Sequence, residues 1–229
     1  MKRTPIFCLF IILLSPGELF ASVISNGDFA TCDYTNWSKD TDGFGDISVL
    51  DDFTMTGSPD CAAVINVDSG TTEAFFGNTL FQNISLQSNM VYELSFDMNI
   101  GSELSSLNQN FVADSVIVGF GNGSGSLFDE TGQEGFLFET DIDGSSTYSI
   151  TLVLSDALTL LNPQTLEFQL LIGFDAFGSD SGASFMQLDN ISLTGTSTTV
   201  DEPLTSALFG VSLACLLFSA RTRAQRGVL

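Results

Sequence analysis

Residues 91–100 read VYELSFDMNI. Tyr92, Leu94, Phe96, Met98 and Ile100 point one way along this stretch, and Glu93, Ser95, Asp97 and Asn99 point the other. A period of two marks a β-strand with one dry and one wet face. The pattern recurs on both sides of it. Residues 148–155, YSITLVLS, set Tyr148, Ile150, Leu152 and Leu154 inward, and residues 166–174, LEFQLLIGF, do so with Leu166, Phe168, Leu170, Ile172 and Phe174. AAVINV (62–67), LFQNISL (80–86), SVIVGF (115–120) and FMQLDNISL (185–193) are further strand candidates. The last changes phase between Leu188 and Ile191, as a β-bulge at Asp189–Asn190 would make it do. Gly, Ser, Asn and Asp clusters lie between these runs, which is the chemistry of turns. Many short antiparallel strands with polar connections predict an all-β fold of two stacked sheets. No proline-rich linker and no internal repeat divides residues 22–196, so a single β-sandwich domain of jelly-roll type is expected there.

Charge places this domain outside the cell. The 229-residue chain has a net charge of −22 and no histidine. Its six basic residues are Lys2, Arg3, Lys39, Arg221, Arg223 and Arg226. Of 28 acidic residues only Glu18, Asp201 and Glu202 lie outside 22–200, which leaves 25 carboxylates against Lys39 alone. Residues 1–14, MKRTPIFCLFIILL, run from basic to apolar, and SPGELFAS follows with the small Ala21. That order predicts a secretory signal peptide over 1–21. Leu204 to Ala220 has no charged residue and would rise about 25 Å as a helix, the short end of a membrane span. The arginines after it, Arg221, Arg223 and Arg226, predict a cytoplasmic basic tail over 221–229. Residues 197–203 form a polar tether between sandwich and helix.

The C-terminal residues, a short acidic-proline motif followed by an apolar helix and terminal arginines, resemble the PEP-CTERM sorting signal of Gram-negative bacteria. That family carries Pro-Glu-Pro after a valine. Here Val200 precedes Asp201, Glu202 and Pro203, with Asp201 standing for the first proline. The resemblance implies an exosortase-type processing enzyme as partner. It also implies an inner-membrane-anchored intermediate, loss of the tail, and release to the cell surface or extracellular matrix.

A second resemblance covers the exported part. ISNGDFATCDYTNW (24–37) and FMQLDNISLTG (185–195) resemble the opening and closing motifs of jelly rolls in carbohydrate-binding modules and galactose-binding-like domains. Ala30 stands where that family has glutamate, and Asn190 where it has a second aspartate. The resemblance implies that Trp37 packs in the core. It also implies a structural Ca2+ with Asn26, Asp28 and Asp189 as ligands, since calcium needs six to eight oxygens at one place. The loops DTDGFGD (Asp40, Asp42, Asp46) and DIDG (Asp141, Asp143) are further oxygen-rich stretches, though solvated turns in so acidic a chain read the same way.

Cys32 and Cys61 are the cysteines of the exported part. In an oxidising compartment they would pair, with a stabilisation of about 3–4 kcal/mol; two free thiols are the alternative. The absence of a basic patch excludes nucleic acid as partner. The absence of histidine removes the usual triads and zinc sites, and carboxylates are too abundant to single out a glycosidase pair. No enzymatic activity is therefore expected. For a sugar platform, Tyr34 alone among the tyrosines looks free, and Phe75–Phe76 and Phe136/Phe138 fall in polar loops. The expected function is that of a non-catalytic exported surface or matrix protein associated with exopolysaccharide or biofilm. A calcium-dependent carbohydrate-binding module is the second reading, and a jelly-roll glycoside-acting hydrolase the third.

Overall fold

The computed structural model describes residues 22–45, 51–68, 71–102, 111–112, 114–123, 125–142, 144–175 and 183–197. The signal peptide, sorting motif, membrane helix and arginine tail expected from sequence lie outside these residues, as do Asp46 and Asp143. No helix among the described residues is long and apolar enough to cross a membrane.

Among the described residues thirteen strands follow one another. They are β1 (Ser38–Thr41), β2 (Phe53–Thr56), β3 (Ala62–Val67), β4 (Gly77–Ile84), β5 (Met90–Ser102), β6 (Phe111–Val112) and β7 (Ser115–Gly121). Then come β8 (Leu127–Phe128), β9 (Phe138–Asp141), β10 (Ser145–Leu154), β11 (Gln164–Leu171), β12 (Phe174–Asp175) and β13 (Ser184–Ser197). A short 3-10 turn, Asp156–Leu160, separates β10 from β11, capped by the Ser155 hydroxyl accepting from Ala157 N. One sheet has the order β1-β4-β11-β7-β8, with β9 also on β7; the other has β10-β5-β13-β3-β2; β12 and β6 form a separate pair. All pairings are antiparallel. Successive long strands cross from one sheet to the other, the layout of a jelly roll.

Alternation along β5 is as its sequence requires. Met90, Tyr92, Leu94, Phe96, Met98 and Ile100 are buried, while Val91 and Glu93 are exposed. Leu166, Phe168 and Leu170 of β11 lie fully inside. Phe96 meets Phe168 edge-on at 5.2 Å across the two sheets, and Trp37 meets Phe168 at 6.2 Å. Burying each such ring is worth about 1.5–3 kcal/mol, and the edge contacts add about 0.5–1.5 kcal/mol more. Trp37 is buried as expected. The phase change in β13 is a register shift between Asp189 and Ser192.

Three expectations need correction. β11 ends at Leu171, so Ile172, though it packs against the core as expected, lies past the strand, and Phe174 belongs to the separate strand β12. Phe138 is not in a polar loop, because it opens β9, pairs with Val118 and packs on Tyr148 at 4.9 Å. Tyr34 is not free. Its ring sits edge-on to Phe29 and Phe53, its hydroxyl donates to Thr54 O at 2.6 Å, and Val64 N donates to that hydroxyl.

Candidate functional site

The first turn and the last strand meet, as the opening and closing motifs suggest. Val23 N donates to Leu193 O, Leu193 N to the Ser22 hydroxyl, and Ile191 N to Gly27 O. Residue 27 must be glycine, since a Cβ there would stand 1.9 Å from Ile191 O. Asn26, at φ 52°, organises the turn that follows. Its amide nitrogen donates to Asp33 O and Thr35 O, its side-chain oxygen lies 2.9 Å from the Thr31 hydroxyl, and its carbonyl accepts from Trp37 Nε1. Both of its oxygens are thus committed within the turn.

Asp28 accepts from Ala30 N, and Asp189 from Asn190 N. Burial raises the Asp189 carboxyl above the usual aspartate range, against the pull of the Asn190 amide. The carboxylates of Asp60, Asp97 and Asp28 push it further the same way. These groups feel one another, yet among the described residues no three carboxylates or thiols converge on a point that would hold a metal ion. Asn26, Asp28 and Asp189 share one end of the sandwich. Cys32 and Cys61 do pair, as a disulfide beside this turn.

A second constellation lies on the outer face of the six-stranded sheet. Thr165, Glu167 and Gln169 occupy the phase of β11 opposite to the one that buries Leu166 and Phe168; Thr165 is itself buried, and Glu167 and Gln169 are half-buried. The Thr165 hydroxyl donates to Glu167 Oε1 at 2.6 Å, and Gln169 Nε2 donates to Oε2 at 3.1 Å. The register sets Phe81 and Thr79 of β4 beside Glu167 and Gln169 on one side, with Ser38 and Asp40 of β1 beyond them. On the other side stand Gly119 and Gly121 of β7, opposite Glu167 and Thr165. A Cβ on Gly121 would fall 1.9 Å from Glu167 Oε1, so the glycine makes the space the carboxylate occupies. The result is a polar row bounded on one side by a half-buried phenylalanine and on the other by Gly119 and Gly121 of β7, with the buried Ile117 opposite Gln169 and the Leu127 side chain over Gly119. Sequence reasoning placed β11 but missed this row. The signal present was Glu167 and Gln169 on the wet phase, together with the GFG of 119–121.

No protein-family model matches the chain, and no curated protein does. Solved structures do. The chain is similar to a carbohydrate-binding module in complex with β-1,4-galactotriose, at 12% identity over 75% of this chain and 97% of that one, TM-score 0.42. It is similar to the K1 cleaved adhesin domain of Lys-gingipain from Porphyromonas gingivalis W83, at 11% identity over 79% and 99%, TM-score 0.46. It is also similar to the N-terminal cellulose-binding domain of Cellulomonas fimi β-1,4-glucanase C, at 20% identity over 76% and 96%, TM-score 0.38.

Proposed function

We propose that this chain is a non-catalytic exported protein that holds polysaccharide at the cell surface or in the extracellular matrix, through the outer face of its six-stranded sheet. The observation that carries this reading is the half-buried Glu167–Gln169 pair beside Phe81, held from beneath by the buried Thr165 hydroxyl. A sugar ring offers hydroxyls at its rim and C–H groups on its faces. A line of donors and acceptors next to an apolar ring answers both. Because the row is already hydrogen-bonded within itself, its polar atoms are pre-aimed, which lowers the ordering cost of binding.

The itinerary is part of the proposal. The signal peptide of 1–21, the Asp201–Glu202–Pro203 motif, the apolar run 204–220 and the arginines after it support membrane passage and removal of the tail by an exosortase-type enzyme. Calcium enters the proposal as a structural ion at Asp28 and Asp189, beside the Asn26 turn, where it would relieve the repulsion Asp189 feels from Asp28, Asp60 and Asp97.

Affinity electrophoresis against a panel of polysaccharides tests the binding. At least one should retard the protein, and Glu167→Ala should weaken that retardation about tenfold, the scale of one charge-assisted hydrogen bond. A protein that no polysaccharide retards would remove the reading. Mass spectrometry of matrix fractions tests the itinerary, and an intact chain dissolved in the cytosol would count against it.

A further inference from the structure

The end of the sandwich beyond Gly77 carries three of its most exposed apolar side chains. Phe44, Phe75 and Phe76 are 76%, 82% and 73% exposed. Rings so placed on an ordinary mobile loop would be unremarkable, but this loop is held by its backbone. Asp52, fully buried between β3 and β4, accepts from Glu73 N at 3.0 Å and Ala74 N at 3.2 Å. Asp42 accepts from Phe75 N at 2.7 Å, Phe76 N at 2.6 Å and Gly77 N at 3.0 Å. Two carboxylates therefore take five consecutive amides, and no amide from Glu73 to Gly77 is left to solvent. The same Asp42 sits in the turn that bears Phe44. Its own amide donates to Gly77 O, Phe44 N donates to Thr41 O, and Gly45 N donates to Asp40. One clamp thus fixes all three phenylalanines, on two loops, with their rings outward.

The tip is continuous with the polar row. Along β11 the residues of this phase run Thr165, Glu167, Gln169, Leu171, and Leu171 pairs with Gly77. Ile172 N then donates to Phe76 O. β13 ends at Ser197, opposite Met90, at the other end of the sandwich. Asn78 donates to Asn66 O, and Asn66 pairs with Phe185 near the start of β13. The tip is therefore about 40 Å along β13 from that strand end.

Size and charge select the occupant. Three phenylalanines this exposed offer roughly 400–500 Å² of apolar surface, well short of the ~800 Å² per partner of a stable protein interface. Asp40, Asp42 and Glu73 surround them in a domain whose single cation, Lys39, has its ammonium 5.4 Å over the Tyr34 and Phe53 rings. Anionic lipid, uronate and phosphate are repelled from such a place. We infer that Phe44, Phe75 and Phe76 form an aromatic subsite for the C–H faces of an uncharged polysaccharide, extending the polar row of β11, with Asp42 as its positioning residue. This rests on the polysaccharide reading above and adds to it both the ligand's neutrality and the second contact point.

The test uses the full-length protein, affinity electrophoresis in neutral glycans (cellulose derivatives, galactan, mannan) and in polygalacturonate, and melting curves. The triple variant Phe44→Ala/Phe75→Ala/Phe76→Ala should lose at least about tenfold in neutral-glycan affinity at an unchanged melting temperature. Replacing the three by tyrosine should restore binding. Asp42→Ala should weaken binding while leaving the outer-face variant's effect intact. If wild type binds neutral glycan and the triple variant binds it equally well, the subsite is wrong and the sheet-face reading stands. If wild type binds no glycan, both fall. Preference for polygalacturonate, ring-dependent binding to phosphatidylcholine vesicles, or ring-dependent dimerisation in ultracentrifugation would each overturn the subsite.

Discussion

Tyr34 places its hydroxyl between Thr54 O of β2 and Val64 N of β3, and burial raises that phenol well above the ordinary tyrosine range. A pKa raised on folding means the fold requires the neutral phenol. Its contribution is fully present below the unfolded value of about 10 and is lost as pH climbs past it. Tyr34→Phe keeps the ring and deletes the hydroxyl, so Val64 N loses its acceptor. The variant should be about 1–2 kcal/mol less stable at neutral pH and show a shallower decline in alkali. Urea unfolding at neutral pH and above about pH 10 measures both, and equal alkaline slopes would refute the assignment. From sequence Tyr34 looked free because its partners are 20 and 30 residues away. The Asp42 clamp was hidden for the same reason. DTDGFGD reads as a solvated loop until folding delivers the amides of Phe75 to Gly77, 33 to 35 residues on.

Among the elements, the strands whose period of two shows in the sequence are those with one wet face, whereas β7, buried on both faces, was legible only as the apolar run SVIVGF. β5, β10, β11 and β13 alternate because water lies on one side and the core on the other, and even the bulge at Asp189–Asn190 shows in the phase. β1 (SKDT) and β2 (FTMT) are four-residue edge strands of mixed burial, too short for a period to declare itself. Alternation says which face a residue takes, not what lies opposite. Glu167 could be placed on the wet face, but Gly121 beside it needs the β7–β11 register. The disulfide is an element-level device too. Cys61 lies at the start of β3, and Cys32 in the first turn, 29 residues earlier. Bridging them shortens the unfolded chain's freedom by about 3–4 kcal/mol. Cys32→Ser/Cys61→Ser should lose that much in urea unfolding while leaving polysaccharide retardation in place, because neither cysteine lies on the outer sheet face. Loss of binding at temperatures where the variant is still folded would contradict this placement.

Over the whole molecule, 25 carboxylates face one ammonium between residues 22 and 200. Repulsion at that density opposes the compact state, and its range is set by salt: about 10 Å at 0.1 M and about 3 Å at 1 M. Melting temperature should therefore rise steadily with sodium chloride. The raised Asp189 carboxyl has the same sign. Its folded state prefers the proton, so its penalty grows as pH rises through that range and is relieved on mild acidification. Asp189→Asn should remove the penalty, raising the melting temperature in low salt and chelator. Calcium separates two ways of meeting the repulsion. If a divalent ion at Asp28 and Asp189 relieves the repulsion from Asp60 and Asp97, calcium should raise the melting temperature beyond sodium chloride of equal ionic strength. The Asp189→Asn variant should lose most of that excess. Equal curves for the two salts in wild type would mean that screening alone balances the charge, and calcium would drop out of the proposal.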